Sequence, residues 1–246
     1  MFKDKTLWII GANSDIALSF AARYSDQFGK TVLASRNAEK LSAEAQKLKI
    51  KNAEVFKIDL NDQNSVDEFL KSAPAPYGVI FFAGHIEYSG NGENNSIKNI
   101  TETVTVNYLR PVIMIEKISA VMQAEKQGFI ALASSAGEAR GKYSNRFYVS
   151  SKKAASVYLE GMMQENEKHG IKTVVVKFGH VDTKMLKKLE GKRKPIFVST
   201  PQSAADFLFG CIKRGKSTVR YYRPMWKLLA AAYAALPLSI YNRLDV

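Results

Sequence analysis

Seven short apolar runs, each separated from the next by a stretch long enough for a helix, constrain this chain more than any other feature. They are Thr6–Ile10, Lys30–Ser35, Ala53–Ile58, Tyr77–Ala83, Phe129–Ala133, Ile171–Phe178 and Ser217–Tyr222. Short apolar runs bounded by turn residues read as strands buried on both faces. Helical stretches lie between them: Leu18–Tyr24, Ala38–Lys49, Asn64–Lys71, a segment ending near Val121, and one from about Tyr148 to His169. Parallel strands need crossover connections of this length, so the alternation predicts an α/β fold. The expected architecture is a single doubly wound domain over residues 1–246, with a parallel sheet of about seven strands. A chain of 246 residues can bury a sizeable core in one such domain. No internal repeat, low-complexity tract or linker divides it.

An open sheet of this kind places its ligand crevice at the carboxyl ends of the strands. The first such end is Gly11-Ala-Asn-Ser-Asp-Ile-Ala17. A helix N-terminus there offers unpaired N–H groups and a favourable dipole to a pyrophosphate. Gly11, Asn13, Ser14, Asp15 and Ile16 are therefore candidate cofactor contacts. Asp15 and Ala17 stand where a Gly-rich fingerprint would carry glycine, and an ordinary strand–helix turn would read the same way. The second strand ends at Ser35-Arg36, with no acid before Glu39. An arginine at this point accommodates a 2′-phosphate, whereas an acid binds a free ribose 2′-OH. NADP(H) is expected over NAD; a solvated loop arginine is the other reading. Asp59 and Leu60 end the third strand, where Asp59 either meets the adenine edge or caps the next helix. Ala83 and Gly84 would let the cofactor approach the backbone closely.

The chemistry concentrates in Ala133–Lys152, A-S-S-A-G-E-A-R-G-K-Y-S-N-R-F-Y-V-S-S-K. Tyr148 and Lys152 are four apart, so a helix starting near Asn145 puts them on one face, with Cβ atoms about 5–6 Å apart. Ser135 lies thirteen residues before Tyr148, at a strand's carboxyl end. A hydroxyl, a phenol and an ammonium converging there suit proton transfer to a carbonyl oxygen. A free phenol has a pKa of about 10; a neighbouring ammonium is expected to lower it and make Tyr148 a better acid. Each piece also has a plain reading, as a helix pair or a turn serine. Asn107 is out of place inside a helix, where its side chain competes for backbone bonds.

Taken in order from about Lys5 to Tyr222, these motifs resemble the short-chain dehydrogenase/reductase family, whose fold is Rossmann-like. The resemblance rests on Ser135, Tyr148-x-x-x-Lys152, Asn107 in Val106-Asn-Tyr108, and the first turn, which matches only in part. The family's Asn-Asn-Ala-Gly is here Phe81-Phe-Ala-Gly84, and its Pro-Gly is Phe178-Gly179. The resemblance implies hydride transfer from NADPH to a carbonyl carbon. Tyr148 would protonate the developing alkoxide, and Ser135 would polarise the carbonyl. Lys152 would lower the phenol's pKa and bind the nicotinamide ribose. Asn107 would hold a water that relays protons to Lys152, and Val181 and Thr183 would join Tyr148 and Lys152 in binding the cofactor. Gly11-Ala-x-Ser-Asp-Ile-Ala17, Ser134–Tyr148 and the tail from Arg223 are further similar to reductases of polyprenyl-phosphate-linked keto-sugars, among them decaprenylphosphoryl-2-keto-ribose reductases. That implies cell-envelope polysaccharide biosynthesis.

The net charge of +13 permits anionic partners. No zinc-finger spacing, RNA-binding aromatic motif or helix-turn-helix accompanies it, so nucleic acid is not expected. The charge gathers in Lys184–Leu189 continuing to Lys194, and in Lys213–Lys227, which holds six basic residues and no acid. The second region opens a basic, apolar tail from about Arg223, whose Leu228–Leu236 is apolar nearly all round. Such a tail suits an anionic membrane surface or a contact within a homo-oligomer. Both basic regions favour a lipid-linked carbonyl substrate over a small soluble one, such as a 3-oxoacyl chain or steroid. A non-catalytic, cofactor-sensing protein is the reading from another class. His85 and His180 flank the crevice without a ligand cluster, so no metal is expected. With Cys211 its only cysteine and no apolar stretch of spanning length, the protein is expected in the cytoplasm, at most peripheral to the membrane.

Overall fold

The computed structural model describes residues 2–87, 95–188 and 195–243. Its strands are β1 (Phe2–Ile10), β2 (Phe28–Ser35), β3 (Ala53–Lys57), β4 (Gly78–Phe81), β5 (Gly128–Ser135), β6 (Ile171–Phe178) and β7 (Thr218–Tyr221). They form one sheet in the order β3-β2-β1-β4-β5-β6-β7, with every adjacent pair parallel. The chain winds outward from β1 to β3, returns to the middle at β4, and winds outward again to β7. The strand order therefore reverses between β1 and β4, and a crevice opens at their carboxyl ends.

The helices are α1 (Asp15–Tyr24), α2 (Ala38–Lys47), α3 (Gln63–Ser72), α4 (Ile97–Val104), α5 (Arg110–Glu125), α6 (Arg146–Lys168), α7 (Lys184–Lys187), α8 (Pro201–Lys213), α9 (Pro224–Ala235) and α10 (Leu238–Tyr241). Strand side chains alternate between the two faces. Leu7 and Ile9 join a core with α1, α2 and α8, while Trp8 and Ile10 join a second core with α3, α5 and α6. Both faces of the sheet are thus covered, which explains why its strands read as continuous apolar runs.

Several boundaries differ from the sequence reading, each for a local reason. The fourth strand stops at Phe81, because the N–H groups of Phe82 and Ala83 both turn onto the Ile10 carbonyl. The helix expected to end near Val121 runs to Glu125, where Lys126 adopts a left-handed conformation. α4 begins at Ile97, where Ser96 caps it by accepting from the Asn99 N–H at 3.1 Å.

Trp8 shows what holds the second core together. It is 2% exposed, packs edge-on against Phe69 at 4.8 Å, and donates its indole N–H to the Pro74 carbonyl at 2.8 Å. Trp8→Ala is expected to lower unfolding free energy by about 3–5 kcal/mol, measured by urea denaturation; a loss below about 1 kcal/mol contradicts this packing.

Candidate active site

A crevice of about 2040 Å³ lies across the carboxyl ends of the strands. Its floor begins at Gly11, whose φ of +79° and contact with the next strand both require glycine. A Cβ there would stand 2.4 Å from the Ala83 nitrogen. Gly11 and Ala12 donate to the Ala34 carbonyl at 2.9 and 3.0 Å, which turns the chain into α1. Ser14 occupies the N-cap of α1 without a side-chain cap bond. Ser14, Asp15 and Ile16 of that helix start line the crevice, and a helix start of this kind suits an anion. Asn13 and Ser35 also line the crevice; Asn13 donates to Ser35 Oγ at 2.8 Å, and Ser35 in turn donates to the Asn37 carbonyl at 3.2 Å. Arg36 is exposed on the crevice rim with Lys40 beside it on the first turn of α2.

Asp15 lines the crevice at the start of α1. Its carboxylate crosses the crevice to α7, accepting from the Lys184 N–H at 2.7 Å and pairing with Lys184 Nζ at 3.3 Å. An acid is tolerated at this glycine position because a cation from 169 residues away neutralises it. Asp59 does not reach the crevice wall, which Ile58 and Leu60 line instead. Its Oδ1 accepts from the Asn61 N–H at 3.0 Å, and Asp62 is the residue that caps α3.

Asn107 sits in a π turn, Thr105–Leu109, between α4 and α5. Such a turn rotates one residue out of helical register, and it is frequent at functional sites. Asn107 is fully buried. Its Oδ1 accepts from the His85 N–H at 2.8 Å, while Nδ2 donates to the His85 carbonyl at 2.9 Å and to Ser151 Oγ at 3.0 Å. The amide therefore pins the segment after β4 to α6.

Ser135 ends β5, and Tyr148 and Lys152 stand one turn apart on α6; all three line the crevice. Ser135 Oγ accepts from the Gly137 N–H at 3.1 Å. Tyr148 hydrogen-bonds Ser135, which favours its ionised form, but burial outweighs this and pushes the phenol up to about 12. Glu138 adds to the rise. This reverses the expectation that Lys152 lowers the phenol. Lys152 Nζ is instead drawn to the carbonyls of Ala83 at 3.0 Å and Ala133 at 3.1 Å. Burial lowers the ammonium to about 8, with Glu138 opposing. The result is a neutral phenol at a polar floor, the form that donates a proton.

Ala83 and Gly84 line the floor beside Lys152, and a Cβ on Gly84 would lie 3.6 Å from Lys152 Nζ. Val181 and Thr183 line the opposite side. Val181 is buried, and the Thr183 hydroxyl caps α7, accepting from the Leu186 N–H at 3.3 Å. His85 and His180 flank the floor as expected; His180 Nδ1 faces the Ile196 carbonyl at 3.0 Å. Among the described residues no cluster of His, Cys, Asp or Glu could hold a metal.

The far wall was not read as part of the site from the sequence. Trp226, Leu229, Ala230, Tyr233 and Leu236 of the C-terminal segment line it, with Lys142 and Tyr143 from the loop before α6. Arg140 fastens this wall, donating to the Tyr233 carbonyl at 3.2 Å and to the Leu236 carbonyl. Its guanidinium also lies 3.9 Å from the centre of the Tyr241 ring. The signal in the sequence was the apolar tail itself. Its distance along the chain hid its destination.

Residues 5–194 match the short chain dehydrogenase family, and the chain belongs to that family of oxidoreductases. It is 27% identical to an uncharacterised oxidoreductase of Staphylococcus aureus (strain MW2) over 184 residues, 73% of this chain and 79% of the relative. It is 24% identical to a fatty acyl-CoA reductase of Acinetobacter baylyi over 249 residues, 96% of this chain and 81% of that protein. Among solved structures it resembles a short chain dehydrogenase of Burkholderia cenocepacia in complex with NADP, with a TM-score of 0.82 at 20% identity over 100% of both chains. A Sphingobium yanoikuyae short-chain dehydrogenase in complex with NADPH gives a TM-score of 0.81 at 18% identity, covering 98% of this chain and 96% of that one.

Gly11→Ala places a side chain into the Ala83 backbone at a left-handed φ. It is expected to cost more than about 1 kcal/mol, read as a lowered Tm; an unchanged Tm refutes the close approach.

Proposed function

We propose that this protein reduces a carbonyl group with NADPH, with Tyr148 as proton donor. The observation that carries this reading is the gathering of Ser135, Tyr148 and Lys152 at one end of the crevice, with the phenol held neutral. The bound cofactor supplies the hydride. The start of α1 and the Gly11 turn would hold its pyrophosphate, and Arg36 and Lys40 would take the 2′-phosphate. The solved neighbours in complex with NADP and NADPH support the same choice. Val181, Thr183, Ala83 and Gly84 would seat the nicotinamide end. Ser135 donates to the substrate oxygen and fixes it beside the phenol. Tyr148 gives its proton as negative charge develops on that oxygen, the moment at which the stabilising groups act. Lys152 stabilises the resulting phenolate.

We read the substrate as lipid-linked, and a polyprenyl-phosphate keto-sugar as its best candidate. The support is the wall of Trp226, Leu229, Tyr233 and Leu236, which is apolar and aromatic, with Lys142, Lys184 and Lys188 also lining the crevice. Beyond the wall, Leu228 and Leu238 are 70% and 67% exposed, and Arg223, Lys227 and Arg243 lie beside them in sequence. An anionic membrane surface would accept such a face. Among the described residues no helix is long and apolar enough to cross a membrane, so any association would be peripheral. A homo-oligomer covering the same face is the competing reading. The likeness to a fatty acyl-CoA reductase favours a second substrate, an acyl thioester, which also joins phosphate to an apolar chain.

Four measurements test this. Assays with NADPH and NADH against a polyprenyl-phosphate keto-sugar, a fatty acyl-CoA and a short 3-oxoacyl ester are expected to show NADPH preference and turnover of an apolar-chained substrate. NADH preference would refute the role given to Arg36. Tyr148→Phe is expected to lower turnover by at least about 100-fold while NADPH still binds by fluorescence. Turnover that needs the Lys152 ammonium falls as pH rises through about 8; a flat profile to pH 10 contradicts that requirement. In sedimentation with anionic vesicles, binding is expected for the whole chain and to be lost when residues after Tyr222 are removed, provided the shortened chain keeps its circular dichroism. Equal binding by both excludes the tail as the anchor.

A further inference from the structure

Beneath the crevice floor lies a buried carboxylate to which the proposed chemistry gives no part. Glu138 follows β5 by three residues and is 3% exposed. Its Oε2 accepts from the hydroxyls of Ser134 and of Ser156, the latter at 3.0 Å. Ser156 Oγ and Ser134 Oγ are themselves 2.9 Å apart. Its Oε1 pairs with Lys177 Nζ at 2.9 Å, and Lys177 reaches a second carboxylate, Glu160, at 3.5 Å. Four elements meet at this one side chain. Ser134 belongs to β5, Ser156 and Glu160 to α6, Lys177 to β6, and Glu138 to the turn that leaves β5.

Those elements also carry the reactive groups. Ser135 is the residue after Ser134, and Lys152 lies one helical turn before Ser156 on the same face of α6. The two contacts between α6 and β5 alternate: Lys152 Nζ donates to the Ala133 carbonyl, and Ser156 meets Ser134. A buried carboxylate left unpaired is strongly destabilising, so this cluster must be complete to be stable. Complete, it admits one relative placement of strand and helix. We infer that Glu138 is a positioning residue: it locks β5 to α6 so that Ser135, Tyr148 and Lys152 share one geometry, and it supplies the fixed negative charge beneath them. The inference rests on the reductase reading above.

The charge bears on Lys152 with a definite sign. Burial disfavours the ammonium, and Glu138 favours it. Among the other titratable groups on the packed elements are Tyr148 and Glu160 on α6, Lys177 on β6, His85 after β4 with Glu102 on α4, and Glu116 on α5, which is taken by Tyr158 at 2.6 Å. Lys177 and Glu138 offset each other, yet Glu138 is the only one of these groups that shifts Lys152 appreciably.

The test compares wild type with Glu138→Gln and Ser156→Ala. Titration of the Lys152 side chain, followed by NMR of ¹³Cε-labelled lysine and assigned with Lys152→Met, needs no substrate and so does not depend on the reductase reading. Glu138→Gln is expected to move the Lys152 midpoint down by about half a pH unit or more, and to lower kcat at least tenfold with NADPH binding retained. Ser156→Ala keeps the charge, so its midpoint is expected to stay in place while kcat falls severalfold. An unmoved midpoint in Glu138→Gln overturns the electrostatic part. Unchanged kcat in both variants, with only Tm lowered, shows a merely structural cluster and overturns the rest. If Glu138→Gln does not fold, Ser156→Ala decides by kcat alone. Wild-type protein that turns over no carbonyl, yet shows the midpoint shift, fails the reductase reading and not this one.

Discussion

Backbone lies against backbone where β1 and β4 end, and the crevice depends on that contact. Gly11 can approach Ala83 because neither position carries bulk, and the positive φ at Gly11 aims α1 away from the sheet. The reversal of strand order makes the gap, and the absent Cβ keeps it open. Had β1 ended in any larger residue, α1 would have to tilt, and its first N–H groups would no longer face the floor. The remaining glycines of a Gly-rich turn are less constrained here. Ala17 is fully buried in helix–sheet packing, and Asp15 is held from across the crevice.

Burial and charge compete at the crevice floor, and burial wins at both Tyr148 and Lys152. Each group is driven toward its neutral form. A neutral phenol can donate its proton, while the Lys152 nitrogen donates to two carbonyls, contacts that favour its charged form. The structure resolves this by giving Lys152 the carbonyls of Ala83 and Ala133 as acceptors and a buried carboxylate nearby. Hydrogen bonds to the charged form offset part of the desolvation. The attraction between phenol and ammonium, which the sequence spacing made the natural guess, is the weaker effect, because Lys152 points to backbone oxygens.

The sheet was legible because a parallel sheet covered on both faces leaves continuous apolar runs, and because Gly11, Ser135, Tyr148 and Lys152 stand at fixed offsets from them. What the sequence hid shares one cause: the partners of Asp15, Asp59, Asn107 and Glu138 are distant in sequence or belong to the backbone. Nothing local marks Lys184 as the partner of Asp15, or Lys177 as that of Glu138. The pKa of Tyr148 was misjudged for the same reason, since its main determinant is how deeply the floor is buried. The π turn at Asn107 left a trace, a polar residue in a helical stretch, but its partner His85 did not.

The C-terminal tail shows how a departure from the family's motif and a feature outside it fit together. Gly179 follows Phe178 where the family has Pro-Gly, and it lies flat against Trp226; a Cβ at Gly179 would fall 1.9 Å from the indole. Trp226 also meets His180 edge-on at 5.0 Å. The glycine is thus required by the tail. Trp226 brings α9 over the crevice from the β6 side, and Arg140 holds its far end from the β5 side. Meanwhile Asp15 holds α7 from the β1 side. The crevice is therefore bounded by segments tied to three different strands. Its floor is built from the ends of β1, β4 and β5, while its walls come from α7 and α9.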